Sequence, residues 1–176
     1  MKNIPLRAAL AASLLIVLPL AAPAAIKTAP LHKYFTAGVI RLRIDKIETY
    51  PGSAAATVPV IAGQGLSGPG FIVVTVTAQN PSGNNELSVP HMEVGFELKD
   101  GSQMNEGTPD ETNIPGGKNP APTSLHPKQH MRFSWVISGW AGAAPTKLLL
   151  KVWNASGYPG YWYRIPLKPN DVTAHT

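Results

Sequence analysis

Apolar and polar residues alternate one by one in several segments of the chain. Residues 40–45 read IRLRID, residues 92–98 read MEVGFEL and residues 131–137 read MRFSWVI. Alternation with a period of two is typical of a β-strand that has one buried and one solvent-facing side. Residues 71–78 (FIVVTVTA) are apolar or β-branched on both sides, which predicts a central strand covered on both faces. No segment shows sustained helical periodicity.

Two further alternating segments, residues 147–154 and 160–167, predict the last two strands of the chain. A short edge strand near residues 102–104 and a possible strand within residues 56–62 bring the expected number to about seven. Strands at this spacing, separated by Gly, Pro and Asn, indicate an all-β chain that folds as an antiparallel β-sandwich.

Two connecting segments differ from the strands in composition. Residues 51–70 are rich in Gly, Ala, Pro and Ser and carry no charge, so they form either a flexible excursion or an extended segment that lays residues 58–62 along a sheet edge. Residues 101–124 form the most polar stretch, and a loop of that length is usually functional or mobile. We expect one domain with a decorated loop rather than two domains.

The start of the chain has the features of a secretory signal peptide. Lys2 and Arg7 precede the uncharged run 8–20, and residues 22–24 (APA) offer small side chains before a cleavage site that follows Ala24. A membrane-spanning helix needs about 20 apolar residues, so the uncharged run is too short to persist as an anchor. The sequence therefore predicts export and removal of the leader.

Cleavage would separate residues 1–24 from a single domain at 25–176, whose best-defined part is 34–168. The expected location is periplasmic or extracellular, with no stable membrane anchor once the leader is removed. The chain has no cysteine, which excludes disulfides, Cys-ligated zinc, iron–sulfur clusters and a lipid anchor of the bacterial lipoprotein type.

The charge balance changes when the leader is set apart. The 176 residues include 15 basic and 10 acidic ones, for a net charge of +5, and two of the bases lie in the leader. The remaining 13 bases against 10 acids leave +3. This excess is too small to predict nucleic acid as a partner.

The charges are also segregated along the chain. Residues 93–111 contain six acids and one base, whereas residues 112–170 contain seven bases and no acid. Eight of the 13 aromatic residues lie between Phe133 and Tyr163. A basic, aromatic-rich final third indicates a binding surface within the last strands.

Short motifs of catalytic meaning are present but incomplete. Residues 63–68 (GQGLSG) match the glycine pattern of dinucleotide sites, but a helix must follow the third glycine and here Pro69 and Gly70 lead into a strand. The same segment fails as a nucleophile elbow, because that motif requires glycine where Pro69 stands. We therefore predict no cofactor and no enzymatic activity.

Metal-ligating patterns are similarly weak. His126 and His130 have the spacing of helical ligands, but Pro127 lies between them and indicates a bend. Loop histidines in contact with solvent are expected, and a metal site that also uses His91 is the alternative. The carboxylates of residues 100–111 lack the alternating positions of a calcium loop. We predict no metal site.

The last two strands supply the candidate binding site. If they pair as a hairpin with Trp153 opposite Trp162, then Lys151 lies opposite Arg164, and these four side chains share one face while the other face is apolar. Indole faces can stack on sugars and the cations can pair with anions, which predicts a site for an anionic or glycan partner. The alternative is that another loop covers the tryptophans and the cations merely solubilise the sheet.

Five segments resemble a family of small exported bacterial domains of unknown function with an immunoglobulin-like, telokin-like sandwich. They are FIVVTVTAQNPSGN, MEVGFELKDGSQ, LHPKQHMRFSWVI and the closing pair KLLLKVWN and YWYRIPL, which together span residues 71–167. Lys128 and Gln129 stand where glycine and glutamate are commoner in that family, and the loop 101–124 is enlarged. The resemblance implies a single immunoglobulin-like antiparallel β-sandwich and carries no catalytic residues.

Three functions follow as hypotheses. The leading one is a non-enzymatic secreted or periplasmic binding module for a protein or cell-envelope component. The second is a carbohydrate-binding module that uses Trp153 and Trp162, and a glycan pull-down separates it from the first. The third is a secreted proteinase inhibitor with residues 101–124 as its inserted loop, because small bacterial inhibitors share this style of sandwich.

Overall fold

The computed structural model describes residues 26–106, 124–153 and 159–176. The predicted signal peptide, most of the polar loop 101–124 and residues 154–158 lie outside the described residues. Two carboxylates of the loop, Asp110 and Glu111, therefore lie outside them as well.

The described residues form twelve β-strands and one short α-helix. The strands are β1 (Ile26–Thr28), β2 (Phe35–Ala37), β3 (Ile40–Pro51), β4 (Gly70–Gln79), β5 (Leu87–Ser88), β6 (Met92–Leu98), β7 (Gln103–Glu106), β8 (Ser124–Leu125), β9 (His130–Ser138), β10 (Pro145–Trp153), β11 (Pro159–Pro166) and β12 (Val172–Ala174). Helix α1 spans Pro59–Ala62, and 3-10 turns span Gly52–Ala56 and Pro169–Asp171. Seven strands have four or more residues, and the other five are too short for an alternation pattern to reveal.

Two five-stranded sheets make up the fold. Sheet A has the order β1-β11-β10-β6-β7, and sheet B has the order β12-β3-β4-β9 with β2 also paired to β3. The pairs β1–β11 and β12–β3 are parallel, and the remaining pairs are antiparallel. Strands β5 and β8 form a separate two-stranded ribbon. The predicted edge strand near residues 102–104 is present as β7.

The inner faces of the two sheets share one hydrophobic core. Sheet B contributes Ile44, Val76 and Trp135, and sheet A contributes Phe96 and Leu150, all buried in the same cluster. These residues occupy the apolar positions of the alternating segments, so the alternation records which side of each strand faces the other sheet. The all-β sandwich expected from the sequence is therefore the observed architecture.

The uncharged segment 51–70 does not lay an extended strand along a sheet edge, so the prediction of a possible strand within residues 56–62 was wrong. It folds into a 3-10 turn and helix α1, which begins at Pro59 in the first-turn position that tolerates proline. Ile61 and Ala54 pack on Phe71 and Val73, which face outward from sheet B. The 3-10 turn and helix α1 thus cover the outer side of β4, which explains why β4 is apolar on both sides.

None of the described helical segments has the length and hydropathy that a bilayer crossing requires.

A buried asparagine organises the connection after β4. The side-chain amide of Asn80 donates to the carbonyl oxygens of Asn85 and Leu125, each at 2.8 Å, and its Oδ1 accepts from the backbone N–H of Ser82 at 2.7 Å. Asn80 is fully buried. One side chain thus joins the turn after β4 to strand β8, 45 residues later.

Strands β10 and β11 form the expected antiparallel hairpin, but the expected register was wrong by two residues. Lys151 lies opposite Trp162 and Leu149 opposite Arg164, while Trp153 pairs with Pro159 beyond a β-bulge. A shift of two residues leaves every side chain on the same face, so alternation cannot distinguish the two registers. The expected apolar inner face is confirmed, with Leu148, Leu150, Val152, Tyr163 and Ile165 buried.

Candidate functional site

The four residues singled out from the sequence lie on the outer face of sheet A. They are joined there by an acidic residue from β6 and an exposed residue from β1. We call this surface the tryptophan face; it comprises Ile26, Glu93, Lys151, Trp153, Trp162 and Arg164. Residues Glu93, Lys151, Trp162 and Ile26 form one row across four neighbouring strands.

Lys151 is enclosed by its neighbours on this face. Its Nζ lies 3.0 Å from Oε2 of Glu93 and 4.2 Å from the centre of the Trp153 ring. The second indole, Trp162, is 5.4 Å from the same nitrogen. Only 18% of the Lys151 side chain is exposed. Its charge is neutralised within the protein, so Lys151 is poorly placed to pair with an outside anion.

The two tryptophans differ in accessibility. Trp153 is half-buried, packs edge-on against His91 at 5.7 Å between ring centres, and has a buried Nε1 with no hydrogen-bond partner among the described residues. Trp162 is 37% exposed, and Ile26, its partner on β1, is 62% exposed. Trp162 and Ile26 therefore form the accessible apolar part of the tryptophan face.

Arg164 is the accessible cation on this face. It is exposed, lies between Leu149 and Thr28 on the neighbouring strands, and makes no ion pair with any described residue. The sequence predicted Lys151 directly opposite Arg164, and this was wrong, because β11 is shifted by two residues relative to that pairing. The face therefore lacks the opposed cations that the hairpin prediction implied.

Part of the charge segregation seen along the sequence cancels in space, at two cross-strand pairs. Strand β6 carries acids and pairs with β10, which carries bases. Lys147 lies 2.5 Å from Glu97, as Lys151 lies 3.0 Å from Glu93. Two residues of each block of charge thus form cross-strand ion pairs on the outer face of sheet A.

The other candidate motifs are not assembled into sites. His126 lies 3.5 Å from a carboxylate oxygen of Glu86, His130 contacts Tyr34, and His91 packs on Trp153 of the neighbouring strand β10. Among residues 26–106, 124–153 and 159–176, no three His, Asp or Glu side chains group as metal ligands would. Helix α1 precedes the glycine segment 63–68 instead of following it.

A second polar surface, on the outer face of sheet B, was not foreseen. We call it the arginine face; it comprises Tyr34, Arg41, Arg43, Asp45, His130 and Arg132. Alternation placed Arg41 and Arg43 on the polar side of β3, but Arg132 comes from β9, two strands away. Only the register of β3, β4 and β9 reveals that the three arginines lie on one surface.

Asp45 connects two of these arginines. Its Oδ1 accepts from Nε of Arg43 at 2.5 Å, and its Oδ2 lies 3.5 Å from Nε of Arg132 and accepts from the Thr77 hydroxyl at 2.5 Å. The hydrogen bond to Asp45 raises the pKa of Arg43 above its usual value. The ring of Tyr34 lies under two guanidiniums, with centroid distances of 5.0 Å to Arg43 and 5.4 Å to Arg41.

A third polar group lies at the other end of β3. Oε1 of the buried Glu48 contacts Lys46 Nζ at 2.6 Å, the Tyr50 hydroxyl at 2.9 Å and His175 Nε2 at 2.8 Å. Burial alone would raise the pKa of Glu48, but these three hydrogen bonds outweigh it and the pKa is lowered. His175 also stacks on Tyr50, with ring centres 4.3 Å apart, so it fixes the end of the chain beside β3.

Comparisons with known proteins add little to the fold. No protein-family model matches the chain, and no curated protein matches it. An uncharacterized β-sandwich protein from Clostridium difficile 630 is 14% identical, with a TM-score of 0.43, over 86% of this chain and 100% of that one. The yjhA protein from Bacillus subtilis is 13% identical, with a TM-score of 0.47, over 79% of this chain and 99% of that one. Similarity at this level carries no argument about activity.

Proposed function

We propose that the protein is an exported, non-enzymatic immunoglobulin-like module whose tryptophan face binds a protein or another component of the cell envelope. The leader at residues 1–24 supports export, and the resemblance of residues 71–167 supports the immunoglobulin-like type of the sandwich. Periplasmic or extracellular location follows from the leader. Mass spectrometry of the exported protein should find Ala25 as the first residue, and an intact leader would contradict this part of the proposal.

One observation carries the binding role. Trp162 and Ile26 are adjacent on neighbouring strands, and both are exposed although large apolar side chains are usually withdrawn from water. Polar groups of Arg164 and the Glu93–Lys151 pair surround them. An aromatic and aliphatic centre with a charged rim is the composition of protein interfaces, in which Trp and Arg contribute most of the binding energy.

The test compares retention of envelope proteins by purified variants. We expect Trp162→Ala to lose the partner that the wild type retains after cross-linking to an envelope fraction. Val39→Ala is the matched control, because Val39 is also an exposed apolar residue, at 56%, but lies in the turn between β2 and β3. Equal retention by the wild type and Trp162→Ala would contradict the assignment of this face.

Carbohydrate binding is the second candidate. The exposed indole of Trp162 and the guanidinium of Arg164 occupy consecutive outer positions of β11, because the tyrosine between them is buried. A flat aromatic surface therefore lies beside a hydrogen-bonding cation. Titration with a panel of oligosaccharides should then quench tryptophan fluorescence in the wild type and not in Trp162→Ala. The half-buried Trp153 should contribute less than Trp162.

Proteinase inhibition by the loop 101–124 remains a prediction. Most of that loop lies outside the described residues, so its support comes only from the sequence. Incubation with trypsin, subtilisin and a papain-type proteinase tests it directly. Stoichiometric inhibition of any one of them, lost on deletion of residues 107–123, would favour this function over the binding module.

A further inference from the structure

We propose that the arginine face of sheet B is a binding site for an acidic polysaccharide, distinct from the tryptophan face of sheet A. The two faces are the outer surfaces of a sandwich whose inner surfaces share one core. They therefore point in opposite directions and can be occupied independently.

The positions of the arginines follow from strand register. Arg41 aligns with Gln79 and His130, and Arg43 aligns with Thr77 and Arg132. Two residues along a strand correspond to roughly 7 Å, and two strands across a sheet correspond to roughly 10 Å. The guanidiniums thus form an open triangle on a flat surface, which suits a chain with repeated anionic groups better than one small anion.

The guanidiniums are available to an outside acceptor. Arg41 is exposed and makes no ion pair with any described residue; its one described interaction is with the Tyr34 ring. Asp45 contacts Arg43 and Arg132 at Nε, and so orients both while their terminal nitrogens remain for other partners. The Arg132 side chain is 63% exposed. Planar guanidiniums held in this way match carboxylate and phosphate geometry.

The side chains between the arginines favour a polysaccharide over other polyanions. Gln79 lies beside Arg41 in one row, and His130 stands at the end of the same row, so groups that hydrogen-bond hydroxyls lie next to the guanidinium of Arg41. The Thr77 hydroxyl, in the second row, donates to Asp45. Protein interfaces have apolar centres, and peripheral membrane binding combines electrostatic attraction with apolar side chains inserted among lipids. Both aligned rows consist of polar side chains throughout. A hydrated ligand that carries both anions and hydroxyls fits this surface.

The test measures binding to polygalacturonate and to its neutral methyl ester. We expect the wild type to bind the acid form and not the ester, and to bind more weakly as the salt concentration rises towards about 0.15 M. The double variant Arg41→Gln/Arg132→Gln should lose about tenfold or more in affinity, because two charge-assisted contacts disappear. Arg43 is left intact because it holds Asp45.

The matched control is Lys99→Gln/Lys168→Gln, which removes two exposed cations that follow strands β6 and β11 and belong to neither face. It should bind polygalacturonate as the wild type does. The proposal is overturned if Arg41→Gln/Arg132→Gln binds as tightly as the control. It is also overturned if phosphatidylglycerol vesicles or polyglutamate are bound and polygalacturonate is not.

Discussion

Lys151 and Glu93 lie opposite each other on β10 and β6, with 3.0 Å between Nζ and Oε2. This pair joins the acidic middle of the chain to its basic final third, so part of the polarity visible along the sequence is neutralised within one sheet. Exposed cations that make no ion pair with any described residue include Arg164 on sheet A and Arg41 on sheet B. The positive surface with more cations is therefore on the sheet opposite the one that the sequence indicated.

The Lys151–Glu93 pair should show measurable coupling. A double-mutant cycle with Lys151→Gln and Glu93→Gln is expected to give a coupling free energy of about 0.5–1 kcal/mol, because the pair is half-buried and also packs under Trp153. Urea unfolding at low and high salt measures it. Coupling that is zero at both salt concentrations would show that the ion pair does not stabilise the fold.

Replacement of Asn80 should be among the more damaging single substitutions. Asn80→Ala leaves the carbonyls of Asn85 and Leu125 without their donor in a buried place, which should cost about 2–4 kcal/mol of unfolding free energy. Asn80→Asp should cost as much, because an ionised carboxylate cannot donate. Asn84→Ala, at an exposed position in the same turn, is the control and should stay within about 0.5 kcal/mol of the wild type.

Gly70 begins β4 at a point where the chain comes very close to its neighbours. A Cβ there would lie 2.6 Å from the carbonyl oxygen of Trp140 and 2.9 Å from that of Tyr50. Backbone must therefore move in Gly70→Ala, and we expect a loss of about 2–3 kcal/mol in thermal or urea unfolding. Gly83→Ala is the comparison, since its Cβ would meet only the Lys128 side chain at an ordinary 3.8 Å.

Tyr50 should give the protein a stability that is lost in strong alkali. Burial, together with its hydrogen bond to Glu48, raises the pKa of Tyr50 from 10.0 to about 12. A pKa raised on folding stabilises the protein below the unfolded value, and that stability disappears as the pH rises from 10 to about 12. Unfolding free energy measured across this window should fall less steeply for Tyr50→Phe than for the wild type.

Glu48 should produce the opposite dependence in acid. Its pKa is lowered by the hydrogen bonds from Lys46, His175 and Tyr50 despite burial, so its contribution is present above the usual value of 4.5 and is lost as the pH falls through the lowered one. Glu48→Gln should therefore flatten the dependence of the unfolding free energy on pH as the pH falls from 4.5 through the lowered pKa. A parallel profile for Glu48→Gln and the wild type would show that this carboxylate does not contribute to acid unfolding.

The sequence predicts the strands and their buried sides well because both depend on alternation within a few residues. It misses the helical cap over β4, since residues 51–70 have neither a helical period nor charge and their burial depends on Phe71 and Val73. It also misses the hairpin register, because a shift of two residues exchanges neighbours without exchanging faces.

For the candidate site, the sequence predicts the face on which the residues lie but not the contacts that they make there. Alternation places Lys151, Trp153, Trp162 and Arg164 on one face, and the structure brings all four there. The neutralisation of Lys151 depends on Glu93, 58 residues earlier, and the burial of Trp153 depends on His91. Contacts between distant strands decide both, and no local pattern encodes them.

The irregularity in β3 between Ile44 and Lys46 shifts the phase of the strand. Before it, odd-numbered residues such as Arg43 face outward; after it, odd-numbered residues such as Ile47 face the core. Asp45 is the extra residue at this point, because Ile44 pairs with Val76 and Lys46 pairs with the next residue of β4, Thr75. Its deletion would restore strict alternation, with Lys46 outside and Ile47 still in the core. The sandwich should therefore accept this deletion, while the arginine face loses the carboxylate that holds Arg43 and Arg132.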